Sequence, residues 1–218
     1  MRLSLIGMAG AGKSYWSMKL AAHGFTRFCC DDLIAEMLSP QLTLPDGTAM
    51  ELGEWMGFPS EPGYRERESE YLACEVRALT EVLDFLEDPE KDFGKDIVVD
   101  TTGSVIYTGD RIFKRLRRTT TVVYLSTPPE LLGQMLRAYL ARPGPMLWQG
   151  IFSKEPEQSN QEAVAHCYPK LFFARKRLYE RYAHLTLDHR TRSRAGFGAR
   201  SFLEHIRRTA RDNKEPAL

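Results

Sequence analysis

The sequence has no excess of charge of either sign and no long hydrophobic run. Its 30 Lys and Arg balance 29 Asp and Glu, so the formal net charge is +1. A protein without a bulk field is not drawn to nucleic acid or to anionic lipid. The first apolar run, residues 3–6, is too short for a signal peptide or a membrane span. We therefore predict a cytoplasmic protein with no nucleic-acid or membrane partner.

Cysteine and histidine are scarce, and neither is spaced as in a metal site. The 4 cysteines and 5 histidines include no CxxC pair and no convincing set of ligands. This excludes a disulfide scaffold, so reduced thiols are expected and no structural metal is implied. Hydrophobic residues make up 43% of the 218 residues, enough for one core but not for a second full domain. We predict a single domain over residues 1–218.

Strand-like and helix-like segments alternate along the chain. Short apolar runs predict strands at residues 2–6, 25–29, 96–101, 120–126 and 185–188. Helical spacing or helix-end signals predict helices at residues 13–23, 31–38, 72–86, 169–182 and 201–211. This alternation indicates an α/β fold, a three-layer sandwich with a mostly parallel sheet and helices on both faces. Residues 39–63 are rich in Pro and Gly, so we expect loops and short helices there, and residues 143–160 are also expected to be irregular.

A glycine-rich motif joins the first predicted strand to the first predicted helix. The sequence GMAGAGKS matches GxxxxGK[ST], the P-loop or Walker A motif, and both flanking elements are those that the motif requires. Backbone N–H groups in such a loop face phosphate oxygens, and the helix N-terminus favours negative charge. The predicted nucleotide contacts are Gly7, Ala9, Gly10, Ala11, Gly12, Lys13, Ser14 and Tyr15. We predict MgATP as the cofactor, with Lys13 spanning the β and γ phosphates and Ser14 as a Mg²⁺ ligand.

Several further motifs occur in the order found in one enzyme family. They are FCCDDLIAE from Phe28, YRERE from Tyr64, DTTGSVIY from Asp100, RP at Arg142 and ARKRLYERYA from Ala174. With the P-loop, these segments resemble the shikimate kinase family over most of residues 2–188. The resemblance implies a P-loop kinase that transfers the γ-phosphoryl group of MgATP to a hydroxyl of a small carboxylated metabolite.

The resemblance also implies roles for aspartates outside the P-loop. Asp32 aligns with a substrate-binding aspartate and is expected to accept or orient the proton of the attacking hydroxyl, which makes it a predicted catalytic residue beside Lys13. Asp31 is expected near Mg²⁺, and so is Asp100, which ends an apolar strand as a Walker B acid does. Both early aspartates could instead stabilise a helix N-terminus, and Asp100 could cap a turn.

Arginines are the implied ligands of the acceptor carboxylate. Arg65 in YRERE and Arg175 are expected to bind it, with Gly103 close by. Helical spacing also bears on Arg175, because apolar residues four before it and three and seven after it place it on an inward face. The alternatives are a surface charge run for Arg65 and a structural ion pair for Arg175.

Two more arginines fall in the region where these kinases have a lid. Arg137 is expected to reach the nucleotide, and Arg142 is expected to stabilise charge during transfer as a catalytic residue. A solvated helix face is the alternative for Arg137. This lid region, residues 137–165, and a substrate-binding insertion, residues 38–68, look enlarged, which implies an acceptor larger than shikimate or different from it.

The chain departs from the family pattern at residues 101–104, where TTGS replaces three glycines. Hydroxyl groups would then occupy space where substrate approaches the backbone. Two other functions therefore stay open. One is a P-loop kinase with a nucleotide, gluconate or dephospho-coenzyme A type of acceptor, and the other is a non-catalytic ATP-binding regulatory protein. The arginines of residues 190–211 are interpreted as a solvated face.

Overall fold

The computed structural model describes residues 1–91 and 94–212. Its centre is a five-stranded parallel sheet in the order β2-β3-β1-β4-β5. The strands are β1 Arg2–Ile6, β2 Thr26–Cys29, β3 Ile97–Asp100, β4 Thr121–Leu125 and β5 Leu185–Leu187. Helices cover both faces of the sheet, so the predicted α/β sandwich is confirmed.

The central strands bring distant segments to one edge of the sheet. The strands β1, β3 and β4 are nearly continuous β-branched and aliphatic runs, as expected where both faces of a parallel sheet are covered. Leu5 of β1 pairs with Asp100 on one side and with Val123 on the other. The end of β3 therefore lies beside the loop that leaves β1, at the carboxyl edge where ligands bind in open α/β folds.

The helices vary widely in length. They are α1 Lys13–Ala21, α2 Cys30–Met37, α3 Ser39–Leu42, α4 Leu52–Met56, α5 Tyr64–Glu87, α6 Asp110–Thr119, α7 Leu132–Ala141, α8 Asn160–Tyr182, α9 His189–Arg192 and α10 Ala199–Asp212. Short 3-10 turns occupy Pro89–Lys91, Val105–Tyr107 and Pro129–Leu131. No helix of residues 1–91 and 94–212 is long and apolar enough to cross a membrane.

The predicted start of α8 near residue 169 is wrong, because the helix begins at Asn160. The N-cap Ser159 accepts a hydrogen bond from the backbone N–H of Glu162, whose side chain accepts one from the N-cap backbone. This capping box starts the helix. Pro169 lies inside the helix, where the loss of one backbone hydrogen bond is offset by the buried face on both sides of it.

The sequence patterns missed α6 altogether. Six of its ten residues are charged, which conceals a buried face formed by Ile112, Phe113 and Leu116. The i, i+1, i+4 spacing of these three residues was the available signal. The helix packs on α5 and β4 and completes one helical layer.

The two irregular stretches meet each other. Residues 38–63 form α3, α4 and a bridge between Thr43 and Ala49, while residues 142–159 lack regular secondary structure. Gly53 of α4 lies so close to residue 143 that a Cβ atom on it would be 1.8 Å from the Pro143 carbonyl oxygen. The predicted insertion and the predicted lid are thus in direct contact.

Candidate active site

The glycine-rich loop joins β1 to α1. Its backbone has φ values of 80° at Gly10 and 91° at Gly12, in the left-handed region that glycine adopts without strain. Lys13 is 7% exposed, and its Nζ donates to the carbonyl oxygens of Gly7 at 3.1 Å and Met8 at 3.2 Å. Burial lowers the pKa of Lys13. Neutral carbonyls thus hold the ammonium group inside the loop, where an anionic ligand would bind it more strongly.

A cavity of about 760 Å³ opens beside this loop. Small-molecule sites usually have volumes of ~300–1,000 Å³. The loop side of the cavity consists of Ala9, Gly10, Ala11, Gly12 and Tyr15. Residues 144–146, Met135 and Tyr139 of α7, and Tyr168 of α8 form much of the remaining wall. The cavity has the size and position of a nucleotide site next to a P-loop.

The two predicted lid arginines are placed differently. Arg142 lines the cavity with its side chain 82% exposed, and its Nη2 lies 3.0 Å from Oε1 of Glu51. Arg137 lies on the exposed face of α7 and does not line the cavity. Arg142 is therefore at the mouth of the cavity, whereas Arg137 projects away from it.

A third arginine, Arg192, lines the same cavity and contacts the loop. It is 8% exposed and donates to the carbonyl oxygens of Ser126 and Leu187, both at 2.7 Å, and of Ala11 at 3.1 Å. Burial lowers its pKa to about 10. The interpretation of residues 190–211 as a solvated face is wrong for this residue. Its alternation with other arginines contained no signal of burial, because two of the three carbonyls, those of Ser126 and Ala11, come from distant parts of the chain.

Two aspartates lie near Lys13. Asp100 is 1% exposed, and its Oδ2 accepts from the Ser17 hydroxyl at 2.8 Å and from Arg27 Nη2 at 2.7 Å. Its Oδ1 is buried without a hydrogen-bond partner. Burial raises the pKa of Asp31, and the neighbouring charge of Lys13 opposes that shift. The site therefore contains two carboxylates beside the loop ammonium.

These oxygen donors suit a magnesium ion. Ser14 is exposed at the start of α1, and the unpartnered Asp100 Oδ1 is an available hard ligand. In the part of the chain that the structure describes, no group of three or more His, Cys, Asp or Glu forms a metal site by itself. Mg²⁺ is usually held by one or two carboxylates together with substrate phosphates. Ser14, Asp31 and Asp100 fit that mode of binding.

Arg175 is a buried cation on the other side of residues 102–104. It is 1% exposed, so the inward orientation predicted from helical spacing is confirmed. Its Nη1 donates to the Gly103 carbonyl oxygen at 3.0 Å and its Nη2 to the Leu147 carbonyl oxygen at 2.6 Å. Its Nε is buried without a partner, and it forms no salt bridge with any described residue. The guanidinium therefore has one N–H donor without an acceptor and no carboxylate partner among the described residues.

The YRERE segment is used differently from the prediction. Arg65 is exposed on the first turn of α5. Oε1 of Glu68 accepts from the backbone N–H groups of Trp148 at 2.6 Å and Gln149 at 3.1 Å. Arg67 is half-buried and donates to the Met56 carbonyl oxygen at 3.0 Å. The segment thus anchors the two irregular stretches, and it does not bring Arg65 to Arg175.

A buried carboxylate that sequence reasoning missed completes the site. Glu75, in the middle of α5, is 0% exposed. The hydroxyl of Ser104 donates to its Oε2 at 2.6 Å, and the hydroxyl of Thr102 donates to its Oε1. Burial raises the pKa of Glu75 to about 7. Its helical spacing with buried Leu79, four residues later, was the available signal.

Comparisons with family models and with curated proteins find no match. Solved structures do match. The shikimate kinase from Acinetobacter baumannii in complex with shikimate has a TM-score of 0.61 and 22% identity, over 99% of this chain and 95% of that chain. The shikimate kinase from Bacteroides thetaiotaomicron has a TM-score of 0.59 and 20% identity, over 95% and 97%. This chain has the shikimate kinase fold. The dephospho-CoA kinase from Campylobacter jejuni is also similar, with a TM-score of 0.55 and 14% identity over 97% of this chain and 98% of that chain.

Within this shikimate kinase fold, the predicted site residues fall into two groups. The structure brings the P-loop residues, Asp31, Asp100, Gly103 and Arg175 to one end of the sheet. It leaves Asp32 with a side chain 76% exposed and 3.7 Å from Arg27. Asp32, Arg65 and Arg137 are therefore outside the cluster, and Asp31, which is half-buried, lies near Lys13 instead of Asp32.

Proposed function

We propose that this protein is an ATP-dependent phosphotransferase that transfers the γ-phosphoryl group of MgATP to a hydroxyl of a small carboxylated metabolite. One observation supports this most strongly. A Cβ atom on Gly103 would lie 3.2 Å from the backbone nitrogen of Ala9 in the P-loop and 3.3 Å from Arg175 Nη1. A phosphate loop and a buried cation without a salt bridge thus adjoin a single glycine, an arrangement that would hold a phosphate and an anionic acceptor side by side.

On the nucleotide side, the backbone of the P-loop would hold the phosphates and Lys13 would neutralise them. Ser14 and Asp100 would hold Mg²⁺, which when bound with ATP neutralises charge on the β and γ phosphates, and Asp31 would remain free of the metal. The Asp100 carboxylate is already oriented by Ser17 and Arg27, which leaves Oδ1 available.

On the acceptor side, we propose that Asp31 takes the catalytic role that the resemblance implied for Asp32. Asp31 is close to Lys13 and receives a hydrogen bond from the Tyr71 hydroxyl at 3.3 Å. Burial raises its pKa, which makes it a better acceptor for the proton of an attacking hydroxyl. Arg175 would bind the acceptor carboxylate beside Gly103, and Arg65 would contribute only after reorientation.

We further propose that residues 137–165 act as a lid. Arg142 would leave Glu51 and turn into the cavity when nucleotide binds. The exchange is easy for this arginine, because an exposed ion pair contributes only ~0–1 kcal/mol. Arg137 would reach the nucleotide only if α7 moved with the lid.

The test is ADP release from MgATP by the purified protein, with and without shikimate and then with other hydroxylated acids, gluconate, nucleotides and dephospho-coenzyme A. Lys13→Ala should lower turnover by ~100-fold or more, because it removes a charge that stabilises the transferring phosphoryl group. Lys114→Ala is the matched control, since Lys114 is exposed on α6. Stimulation by one acceptor that is lost with Lys13→Ala would support the proposal.

The same assay decides between the open alternatives. If dephospho-coenzyme A or a nucleotide stimulates ADP release and hydroxylated acids do not, the acceptor belongs to that class rather than to the carboxylated metabolites. Tight ATP binding with no stimulation by any acceptor would contradict the phosphotransferase proposal and favour a regulatory ATP-binding protein.

A further inference from the structure

Glu75 and residues 102–104 form a closed polar network in the centre of the protein. The hydroxyls of Thr102 and Ser104 each donate to a different carboxylate oxygen of Glu75. The two hydroxyl oxygens are 3.1 Å apart, and the Ser104 backbone N–H donates to Thr102 Oγ1 at 3.1 Å. Thr102 is 2% exposed and Ser104 is 4% exposed. The two hydroxyls that replace family glycines therefore face α5 rather than an incoming acceptor.

Gly103, which lies between Thr102 and Ser104, contacts both the buried arginine and the P-loop. The Gly103 carbonyl oxygen accepts from Arg175 Nη1 at 3.0 Å and from the Tyr179 hydroxyl at 2.5 Å. A Cβ atom added to Gly103 would lie 3.2 Å from the backbone nitrogen of Ala9 in the P-loop. A small rotation of residues 102–104 would therefore move the buried guanidinium relative to the phosphate loop.

We infer that Glu75 is a positioning residue, which fixes Arg175 relative to the P-loop through Thr102, Ser104 and the Gly103 carbonyl. The inference rests on the proposed function, in which Arg175 binds the acceptor. Glu75 contacts neither the nucleotide nor the acceptor in this arrangement. It acts through the conformation of residues 102–104.

Stability alone does not account for this network. A buried carboxylate loses its hydration, and apolar side chains of similar volume are often as stable or more stable in such a place. The raised pKa of Glu75 reflects that cost. The charged and titratable groups around it are Asp31, Lys13, Arg175, Tyr71 and Cys30. The network is better explained by the loop conformation that it holds.

A mutant cycle tests whether Glu75 positions Arg175 through the two hydroxyls or affects activity in a way that is independent of them. The variants are Glu75→Leu, the pair Thr102→Val with Ser104→Ala, and all three changes together. The kinetic constants are measured with the acceptor that stimulates ADP release in the assay described under Proposed function. Glu75→Leu should lower kcat/KM for the acceptor by ~10- to 100-fold, because two buried hydroxyls lose their acceptor and the loop shifts. KM for ATP should change by less than ~3-fold, because the backbone of the P-loop is intact.

The signature of positioning is non-additivity. If Glu75 acts through the two hydroxyls, the triple variant should be no worse than Glu75→Leu, since residues in one network do not contribute independently. Glu75→Gln should recover most of the activity, because it keeps one accepting oxygen and the side-chain volume. The inference would be overturned if the loss of kcat/KM in the triple variant equalled the product of the losses in Glu75→Leu and in the hydroxyl pair. It would also be overturned if Glu75→Leu were as active as the wild type.

A second readout does not depend on catalysis. Hydrogen exchange of the backbone amides of residues 101–105 should be ~10-fold or more faster in Glu75→Leu, and unchanged in the control Glu66→Leu, an exposed position on the same helix. Unchanged exchange in Glu75→Leu would overturn the inference. If the wild type transferred phosphate to no acceptor, the proposed function would fail while the exchange result still decided whether Glu75 positions the loop. If Glu75→Leu does not fold, the same kinetic and hydrogen-exchange measurements are made on Glu75→Gln and on the pair Thr102→Val with Ser104→Ala.

Discussion

The proposed nucleotide side and the proposed acceptor side of the site are built in different ways. The phosphate-binding part of the nucleotide side is one continuous stretch, residues 7–14, in which backbone N–H groups are the expected donors. The acceptor side combines single side chains from α2, α5 and α8 with the loop after β3. A backbone site tolerates changes in neighbouring side chains, whereas a side-chain site changes whenever a partner does. The comparison explains why the departures from the shikimate kinase pattern lie on the acceptor side.

The two sides share one electrostatic device. Lys13 and Arg175 are both buried cations held by backbone carbonyls, at 3.1 Å from Gly7 and 3.0 Å from Gly103. Neither forms a salt bridge with another residue of the described chain. Each can exchange a neutral partner for an anionic one, so both sides are prepared for negatively charged ligands.

The sharpest test of the acceptor side compares two adjacent aspartates. Asp31→Asn should lower kcat by ~100- to 1,000-fold, because it removes the proposed proton acceptor. Asp32→Asn should change kcat by less than ~3-fold, because its side chain is 76% exposed and at the edge of the cluster. Steady-state kinetics with the identified acceptor give both values. The reverse order of effects would return the catalytic role to Asp32.

A second pair of variants, Arg175→Met and Arg177→Met, tests whether acceptor binding and nucleotide binding are independent. Arg175→Met should raise KM for the acceptor so that kcat/KM falls by ~100-fold, the loss expected for one buried charged ligand. The affinity for ATP, measured by calorimetry, should stay within ~3-fold, since the P-loop backbone is untouched. Arg177→Met, on the exposed face of the same helix, is the control. An equal loss of ATP affinity would contradict the division into two sides.

Contact between the insertion and residues 142–149 is tested by stability. Gly53→Ala should lower the free energy of unfolding by ~3 kcal/mol, at the upper end for overpacking, because its Cβ would clash with the backbone of Pro143. Gly144→Ala has open space around the new methyl group and should change stability by less than ~0.5 kcal/mol. Urea denaturation of both variants measures the difference. Equal stabilities would show that the two stretches are not packed in this way.

The smallest predicted effect concerns pH. The pKa of Glu75 is raised from 4.5 to about 7 in the folded state, because burial disfavours the charged carboxylate. The folded state therefore binds this proton more tightly, and the associated stability is full below pH 4.5 and lost as the pH rises toward 7. The wild type should thus lose on the order of 1–3 kcal/mol relative to Glu75→Gln between pH 5 and 8. Thermal unfolding at each pH tests the direction, and a pH-independent difference would contradict it.

Local patterns were sufficient for most of the fold. The five strands were predicted within a residue or two, because buried parallel strands are uninterrupted apolar runs. The errors have physical causes. Charge on the exposed face concealed α6, and the start of α8 was placed at residue 169 although Ser159, ten residues earlier, forms a capping box with Glu162. The first error reflects tertiary packing, which buries one face of a charged helix, and the second reflects a local signal that was not used.

The sequence by itself determined the phosphate loop and the inward face of Arg175. A contiguous motif contains its own geometry, and helical spacing shows which way a side chain points. Only the tertiary structure decided that Asp31 rather than Asp32 lies near Lys13, that Arg192 contacts the P-loop, and that Glu75 binds residues 102–104. Each of these depends on contacts between segments tens of residues apart, and no local pattern records which distant groups will satisfy a buried charge.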